Sequence, residues 1–75
     1  SDLEEQVCII FAGVRGYLDR IDVSSIGAFE AAWLGFLKGS HKDLLDAIRT
    51  EGQLSAANEE KLGALCDNMV SNFAG

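Results

Sequence analysis

Apolar residues recur every three or four positions through the middle of the chain, and this pattern constrains the fold more than any other feature. Eight large apolar residues share this period: Ile26, Phe29, Trp33, Phe36, Leu37, Leu44, Leu45 and Ile48. Such a period is typical of an amphipathic helix. The pattern keeps its phase across "KGSHKD", although Gly39 and Ser40 disfavour helix there. We predict one long helix over roughly 25–50, kinked at most, in preference to two helices restarted at Ser40.

The segment before it carries the signals of another helix. Ser1 or Asp2 can serve as N-cap, and Ser1 and Glu4 have the spacing of a capping box. The apolar residues that follow at helical spacing are Leu3, Val7, Ile10, Phe11 and Val14, and Cys8, Ile9 and Ala12 extend the apolar surface. A helix that is apolar nearly all round is a buried one. We therefore predict a buried helix over roughly 2–14, with Gly13 and Gly16 marking the exit from it.

A third helix is predicted over roughly 56–73. Gly52 suits a left-handed C-cap for the preceding helix, and Ser55 suits the next N-cap. Its inward stripe consists of Leu62, Leu65, Met69, Val70 and Phe73. Gly63 lowers the stability of this helix by up to about 1 kcal/mol relative to Ala. The predicted fold is all-α: a small bundle of about three main helices forming a single helical domain over 1–75.

Composition excludes several classes of protein. The net charge is −6 with only six Lys and Arg, which disfavours binding to nucleic acid and to anionic lipid. No apolar run approaches the roughly 18 residues that cross a bilayer. Two cysteines without a dense disulfide pattern favour a reduced, intracellular setting. Apolar residues and glycine together exceed the usual share of about 45–50%, so some apolar surface is expected to face something outside this chain.

Two motif-like stretches do not support a ligand site. In "AGVRG", Gly13 and Gly16 are too close for a Walker loop, and neither Lys nor Ser/Thr follows. The stretch from Asp19 to Glu30 has the length of a calcium-binding loop. However, Ile21 and Val23 stand where oxygen ligands are needed. We expect neither a phosphate site nor a calcium site here.

Titratable residues do not assemble into a recognisable reaction centre. His41 is the only histidine, and Cys8 and Cys66 lack the paired spacing of a zinc site. The pairs Glu4–Glu5 and Glu59–Glu60 are adjacent on their helices, so their side chains do not face each other. We expect these carboxylates to interact with helix dipoles and His41 to cap a helix or face solvent. No catalytic, cofactor-binding or metal-binding residue is predicted.

Aromatic and charged residues remain as structural or interface candidates. Phe29, Trp33 and Phe36 form a stripe that is normally core, although part of it could be the expected contact surface. Arg15 and Asp19 are four residues apart and could pair locally, or either could serve a neighbouring subunit. The six candidates are Arg15, Tyr17, Asp19, Phe29, Glu30 and Trp33.

Several quoted stretches resemble one known family over essentially the whole chain. "EEQVCIIFAGVRGYLD" followed by "IGAFEAAWLGFLKGSHKDLLDAIRTEGQLS" is similar to the C-terminal helical region of the alpha subunit of the proton-translocating ATP synthase. The most specific pieces are "EEQV", "AGVRGYLD", the "FE" at Phe29–Glu30 and "LLDAIRTEGQLS", and "VSNFAG" matches the end of that subunit. The family's helical domain continues upstream, so the resemblance implies that Ser1 begins a portion of a longer subunit.

The resemblance implies a structural role in a rotary enzyme that couples ATP synthesis to proton transport. Its expected partners are the rest of the alpha subunit, the beta subunits and the gamma subunit of the central stalk. ATP or ADP with magnesium would bind to the parent subunit's nucleotide-binding domain. No position here matches those nucleotide-site residues, and Arg15 is not the arginine that acts across the subunit interface. The implied location is peripheral, on the matrix side of the mitochondrial inner membrane or the cytoplasmic side of a bacterial plasma membrane.

Two other function classes stay open from the residues alone. A free-standing acidic helical module that binds or regulates proteins would hide its apolar surface and melt cooperatively as a monomer. A small nucleotide-binding enzyme would bind ATP saturably, which we do not expect. A helical portion of a larger subunit would instead show weak stability, self-association or dye-binding apolar patches when isolated.

Overall fold

The computed structural model describes residues 2–74, with the side chains of 2–73, and every element in this range is helical. The elements are α1 (Leu3–Val14), two 3-10 turns (Tyr17–Arg20 and Val23–Ser25), α2 (Ile26–Ser40), α3 (Lys42–Glu51) and α4 (Ala56–Ala74). The all-α prediction is confirmed. The predicted caps involving Ser1 lie outside the described residues.

The prediction of one helix over 25–50 is wrong, because the backbone breaks at His41. This residue takes φ −137° and ψ 43°, outside the helical region. Its N–H donates to the carbonyl of Leu37 at 2.8 Å and ends α2, while its own carbonyl accepts from the N–H of Leu44 at 3.1 Å and begins α3. The poor helix formers Gly39 and Ser40 make such a break less costly. Both halves still direct their apolar residues into one core.

The turns use the predicted glycines and caps. Gly16 has φ 79° and Gly52 has φ 68°, the left-handed region that side chains with a Cβ rarely adopt. The hydroxyl of Ser55 accepts the backbone N–H of Asn58 at 3.2 Å and caps the start of α4. Asp22 accepts the N–H of Ser24 at 3.2 Å in the turn before α2. The conformations of these turns between helices are therefore determined by residues within or next to each turn.

The core draws on all four helices and confirms most of the predicted inward positions. Its fully buried side chains are Cys8, Phe29, Trp33, Leu37, Ile48, Leu62, Cys66 and Val70. The Trp33 Nε1–H donates to the carbonyl of Cys8 at 3.2 Å and joins α2 to α1. This bond satisfies the polar atom of a fully buried indole, as a packed interior requires.

The predicted burial of α1 all round is wrong. Its inner face consists of Glu4, Cys8, Phe11 and Ala12. Leu3, Ile10 and Val14 are instead 55%, 60% and 76% exposed. A bundle of this size offers neighbours to only one side of α1, so its other apolar side remains in water. Phe73, predicted to point inward, is 38% exposed at the edge of the core.

Candidate functional site

A groove of about 570 Å³ lies between the end of α1 and the first half of α4. Phe11 and Tyr17 stack at one side of it, with ring centroids 5.9 Å apart. The groove is lined by Phe11, Arg15, Tyr17, Ala56, Glu59, Glu60, Gly63, Ala64 and Asp67. Its walls are therefore mixed, with aromatic rings on one side and carboxylates of α4 on the other.

Arg15 and Asp19 do not form the local pair that their spacing suggested. The Arg15 guanidinium pairs with the carboxylate of Glu59 on α4 and lies over the Phe11 ring, with Cζ 5.0 Å from the ring centroid. Asp19 is exposed in the first 3-10 turn. Both members of the Arg15–Glu59 pair are well exposed, so the pair contributes at most about 1 kcal/mol.

Tyr17 reaches α4 at the one position of that helix that has no side chain. A Cβ built on Gly63 would lie 3.1 Å from the Tyr17 hydroxyl oxygen and 3.7 Å from Cζ of Phe11. Gly63 is itself buried. Its role is thus to admit Tyr17, which the sequence did not reveal because the two residues are distant in the chain.

The remaining candidates, Phe29, Trp33 and Glu30, differ in how deeply they are buried. Phe29 and Trp33 are fully buried, so they act in the core and not at a surface. Their rings stack with centroids 6.5 Å apart. Glu30 is half-buried on α2. An interface role for Arg15, Tyr17, Asp19 or Glu30 stays a prediction.

A second, mostly apolar groove of about 280 Å³ runs between the outer sides of α1 and α2. It is lined by Glu5, Gln6, Ile9, Ile10 and Leu34. Ile10 also belongs to a row of aliphatic residues along α1, which we call the α1 stripe: Leu3, Val7, Ile10 and Val14. Three of the four are exposed and Val7 is half-buried. The two features make this side of the molecule an apolar surface.

Salt bridges connect α1 to α2 and to α3. Lys38 of α2 lies 3.5 Å from Glu5, measured from Nζ to Oε1. Arg49 of α3 lies 3.8 Å from Glu4, measured from Nε to Oε2, although Glu4 is otherwise buried. The adjacent carboxylates Glu4 and Glu5 therefore point to different helices, which fits a packing role.

The two thiols are buried, and their raised pKa values make them weakly reactive at neutral pH. Burial and the nearby carboxylates of Glu4 and Glu5 raise the pKa of Cys8 to about 11. Burial and Asp67 raise the pKa of Cys66 to about 12, against a smaller opposing effect of Arg20. Both thiols are protonated at neutral pH, whereas nucleophiles and metal ligands need the thiolate.

Within the described part of the chain, no three His, Cys, Asp or Glu side chains are placed to share a metal ion. His41 lies instead at the α2–α3 break, with its ring edge-on to Phe36 at 5.0 Å between centroids. None of the helices in the described range has the length and apolarity needed to span a bilayer.

Comparison with known protein families gives a match that covers most of the sequence. Residues 1–69 match the model described as "ATP synthase alpha/beta chain, C terminal domain". The all-helical bundle agrees with that match. A domain of this kind is a structural part of the ATP synthase head, which belongs to a membrane-associated complex. This protein therefore belongs to the family of C-terminal domains of the ATP synthase alpha and beta subunits.

Proposed function

We propose that this chain is a non-catalytic structural portion of the alpha subunit in the ATP synthase head. It packs against the rest of alpha and lies beside the beta subunits and the gamma subunit of the central stalk. In this role it contributes to ATP synthesis coupled to proton transport by holding the subunits around the stalk. Nucleotide with magnesium binds elsewhere on the parent subunit, which continues upstream of these residues.

The exposed α1 stripe is the observation that carries the proposal. Leu3, Ile10 and Val14 are each more than half exposed, although the chain has a well-packed interior. Removing a large aliphatic side chain from water contributes roughly 1.5–3 kcal/mol. Contiguous apolar patches on soluble proteins usually mark contacts with another surface. The rest of a large assembly supplies such a surface.

Assignment to alpha, in preference to beta, rests on the resemblance of specific stretches. "AGVRGYLD" and "LLDAIRTEGQLS" are the most telling of these, and they lie at the end of α1 and across α3. The same resemblance supports a peripheral location on the matrix side of the mitochondrial inner membrane. The cytoplasmic side of a bacterial plasma membrane is the alternative.

A complementation experiment tests this role. The chain is produced together with beta, gamma and an alpha subunit that lacks the corresponding C-terminal helices. We expect the tagged chain to be retained in the assembled head and to restore its ATPase activity.

The variant Ile10→Glu introduces a charge into the α1 stripe and should reduce retention at least tenfold. Val23→Glu is the matched control, because Val23 is 84% exposed in the second 3-10 turn and does not belong to the α1 stripe. Absence of the wild-type chain from the head, with the other subunits assembled, argues against the proposal. So does an upstream reading frame without a G-x-x-x-x-G-K-[ST] loop, where no partner polypeptide supplies one.

A free-standing acidic binding module is the second candidate, and one observation favours it. The accessible surface is 4386 Å², close to the roughly 4,450 Å² expected for a monomeric protein of this mass. A domain with its own core can act alone. Assembly separates the two candidates, since an ATP synthase portion is retained in the assembled head and a self-sufficient module remains outside it.

A further inference from the structure

The spacing of the α1 stripe is the same in both directions along the helix. Its residues stand at positions 3, 7, 10 and 14, with intervals of four, three and four. These are the intervals of a coiled-coil seam. Two copies of α1 laid antiparallel, centred between Cys8 and Ile9, place Leu3 opposite Val14 and Val7 opposite Ile10. The stripe is therefore complementary to itself.

The charges at the ends of α1 favour the same arrangement. Asp2 is exposed just before the helix, and Arg15 is exposed just after it. In the antiparallel pair, Asp2 of one copy lies beside Arg15 of the other. The Arg15 guanidinium already holds Glu59, but its five N–H donors can accommodate a second carboxylate. A parallel pair would instead bring the two Asp2 carboxylates together and align the helix dipoles unfavourably.

Little side-chain bulk or charge opposes this contact. Gly13 is exposed beside the stripe and allows a second helix to approach closely. None of the four stripe residues is charged, so the net charge of −6 is carried by other surfaces. A closed two-fold contact of this kind uses the same patch on both copies.

We propose that, in the chain free of any larger complex, a second copy covers the α1 stripe through antiparallel pairing of the two α1 helices. This dimer goes beyond the proposed function and does not depend on it. A 12-residue helix is roughly 18 Å long, and an interface of that length belongs to the small, weak class. We expect a dissociation constant on the order of 100 μM.

Sedimentation equilibrium of the 75-residue chain from 10 μM to 1 mM, about a decade either side of that constant, tests the dimer. We expect Ile10→Glu to weaken association at least tenfold and Val23→Glu to leave it unchanged. Circular dichroism melts confirm that both variants fold. A wild-type chain that stays monomeric at the highest concentration overturns the proposal, as does equal weakening by both variants.

Disulfide trapping tests the direction of pairing. Leu3→Cys and Val14→Cys variants of different mass are mixed and oxidised mildly. The native thiols of Cys8 and Cys66 are buried, so only the introduced cysteines are expected to cross-link. We expect the Leu3→Cys variant to cross-link to the Val14→Cys variant in excess over either homodimer. Predominant homodimers indicate parallel pairing and overturn the proposal. A wild-type chain that stays monomeric can still be retained in the ATP synthase head, and a wild-type chain that dimerises can still be absent from it, so the two proposals fail separately.

Discussion

Substituting Gly63 by Ala perturbs a close contact between the first 3-10 turn and α4. The new methyl group would lie 3.1 Å from the Tyr17 hydroxyl oxygen, closer than ordinary van der Waals contact, and 3.7 Å from Cζ of Phe11. Gly63 is buried, so the methyl group cannot turn into solvent. Tyr17 must shift by a few tenths of an ångström, and its stacking on Phe11 resists that shift.

Two opposing effects determine the free energy of unfolding. Ala in place of Gly inside a helix stabilises by up to about 1 kcal/mol. Overpacking of a well-packed site destabilises by about 1–3 kcal/mol. We expect a net destabilisation of about 1 kcal/mol for Gly63→Ala. Gly35→Ala is the matched control: Gly35 is also helical, but a Cβ there would meet nothing within 4 Å, so this variant should be more stable by about 0.5–1 kcal/mol.

Urea unfolding followed by the fluorescence of the single tryptophan, Trp33, measures these differences. Tyr17→Phe removes the hydroxyl oxygen that the new methyl group would meet. In that background Gly63→Ala should become neutral or stabilising, and the double-mutant cycle should yield a coupling of about 1 kcal/mol or more. If Gly63→Ala stabilises the wild-type background as much as Gly35→Ala does, the hydroxyl does not limit packing and the reasoning is refuted.

Three further predictions concern the core and the caps. Trp33→Phe should destabilise by about 1–3 kcal/mol in urea, because it removes the hydrogen bond to the Cys8 carbonyl and leaves a gap in the core. Ser55→Ala should lower stability by about 1 kcal/mol in a thermal melt, since the N–H of Asn58 loses its cap, and Ser55→Asp should retain it. Cys8 and Cys66 should react with thiol reagents only after unfolding. Because their folded pKa values are raised to about 11 and about 12, ionisation of the unfolded thiols should lower stability as pH rises above about 9. Rapid labelling of the folded protein at pH 8 would contradict the burial of both thiols.

The helical class and most of the core were predictable because apolar periodicity reports which side of a helix is buried. The break at His41 was not, since the apolar pattern stays in phase across it and both helices bury the same side. The buried side of α1 was equally hidden. Its apolar residues cover nearly the whole circumference, so only the positions of α2, α3 and α4 decide that Cys8 faces inward and Ile10 outward.

At the candidate surfaces too, local sequence patterns did not predict the contacts between residues that are distant in the chain. Spacing along the sequence suggested Asp19 as the partner of Arg15, but folding brings Glu59 of α4 to that guanidinium. The groove beside Gly63 likewise depends on a contact between the two ends of the sequence. Local patterns identify helices and caps, whereas pairs separated by more than forty residues emerge only from the packed bundle.

The two-sided character of α1 links folding to association. One side of this helix supplies Cys8 and Phe11 to the core, while the other leaves Ile10 exposed. Any molecule that holds the outer side binds only the folded protein, so it shifts the folding equilibrium by mass action. A partner present at a concentration about 100 times its dissociation constant adds about 2.7 kcal/mol to the free energy of unfolding. The melting temperature of this domain should therefore rise with partner concentration, so that assembly protects it against unfolding and proteolysis.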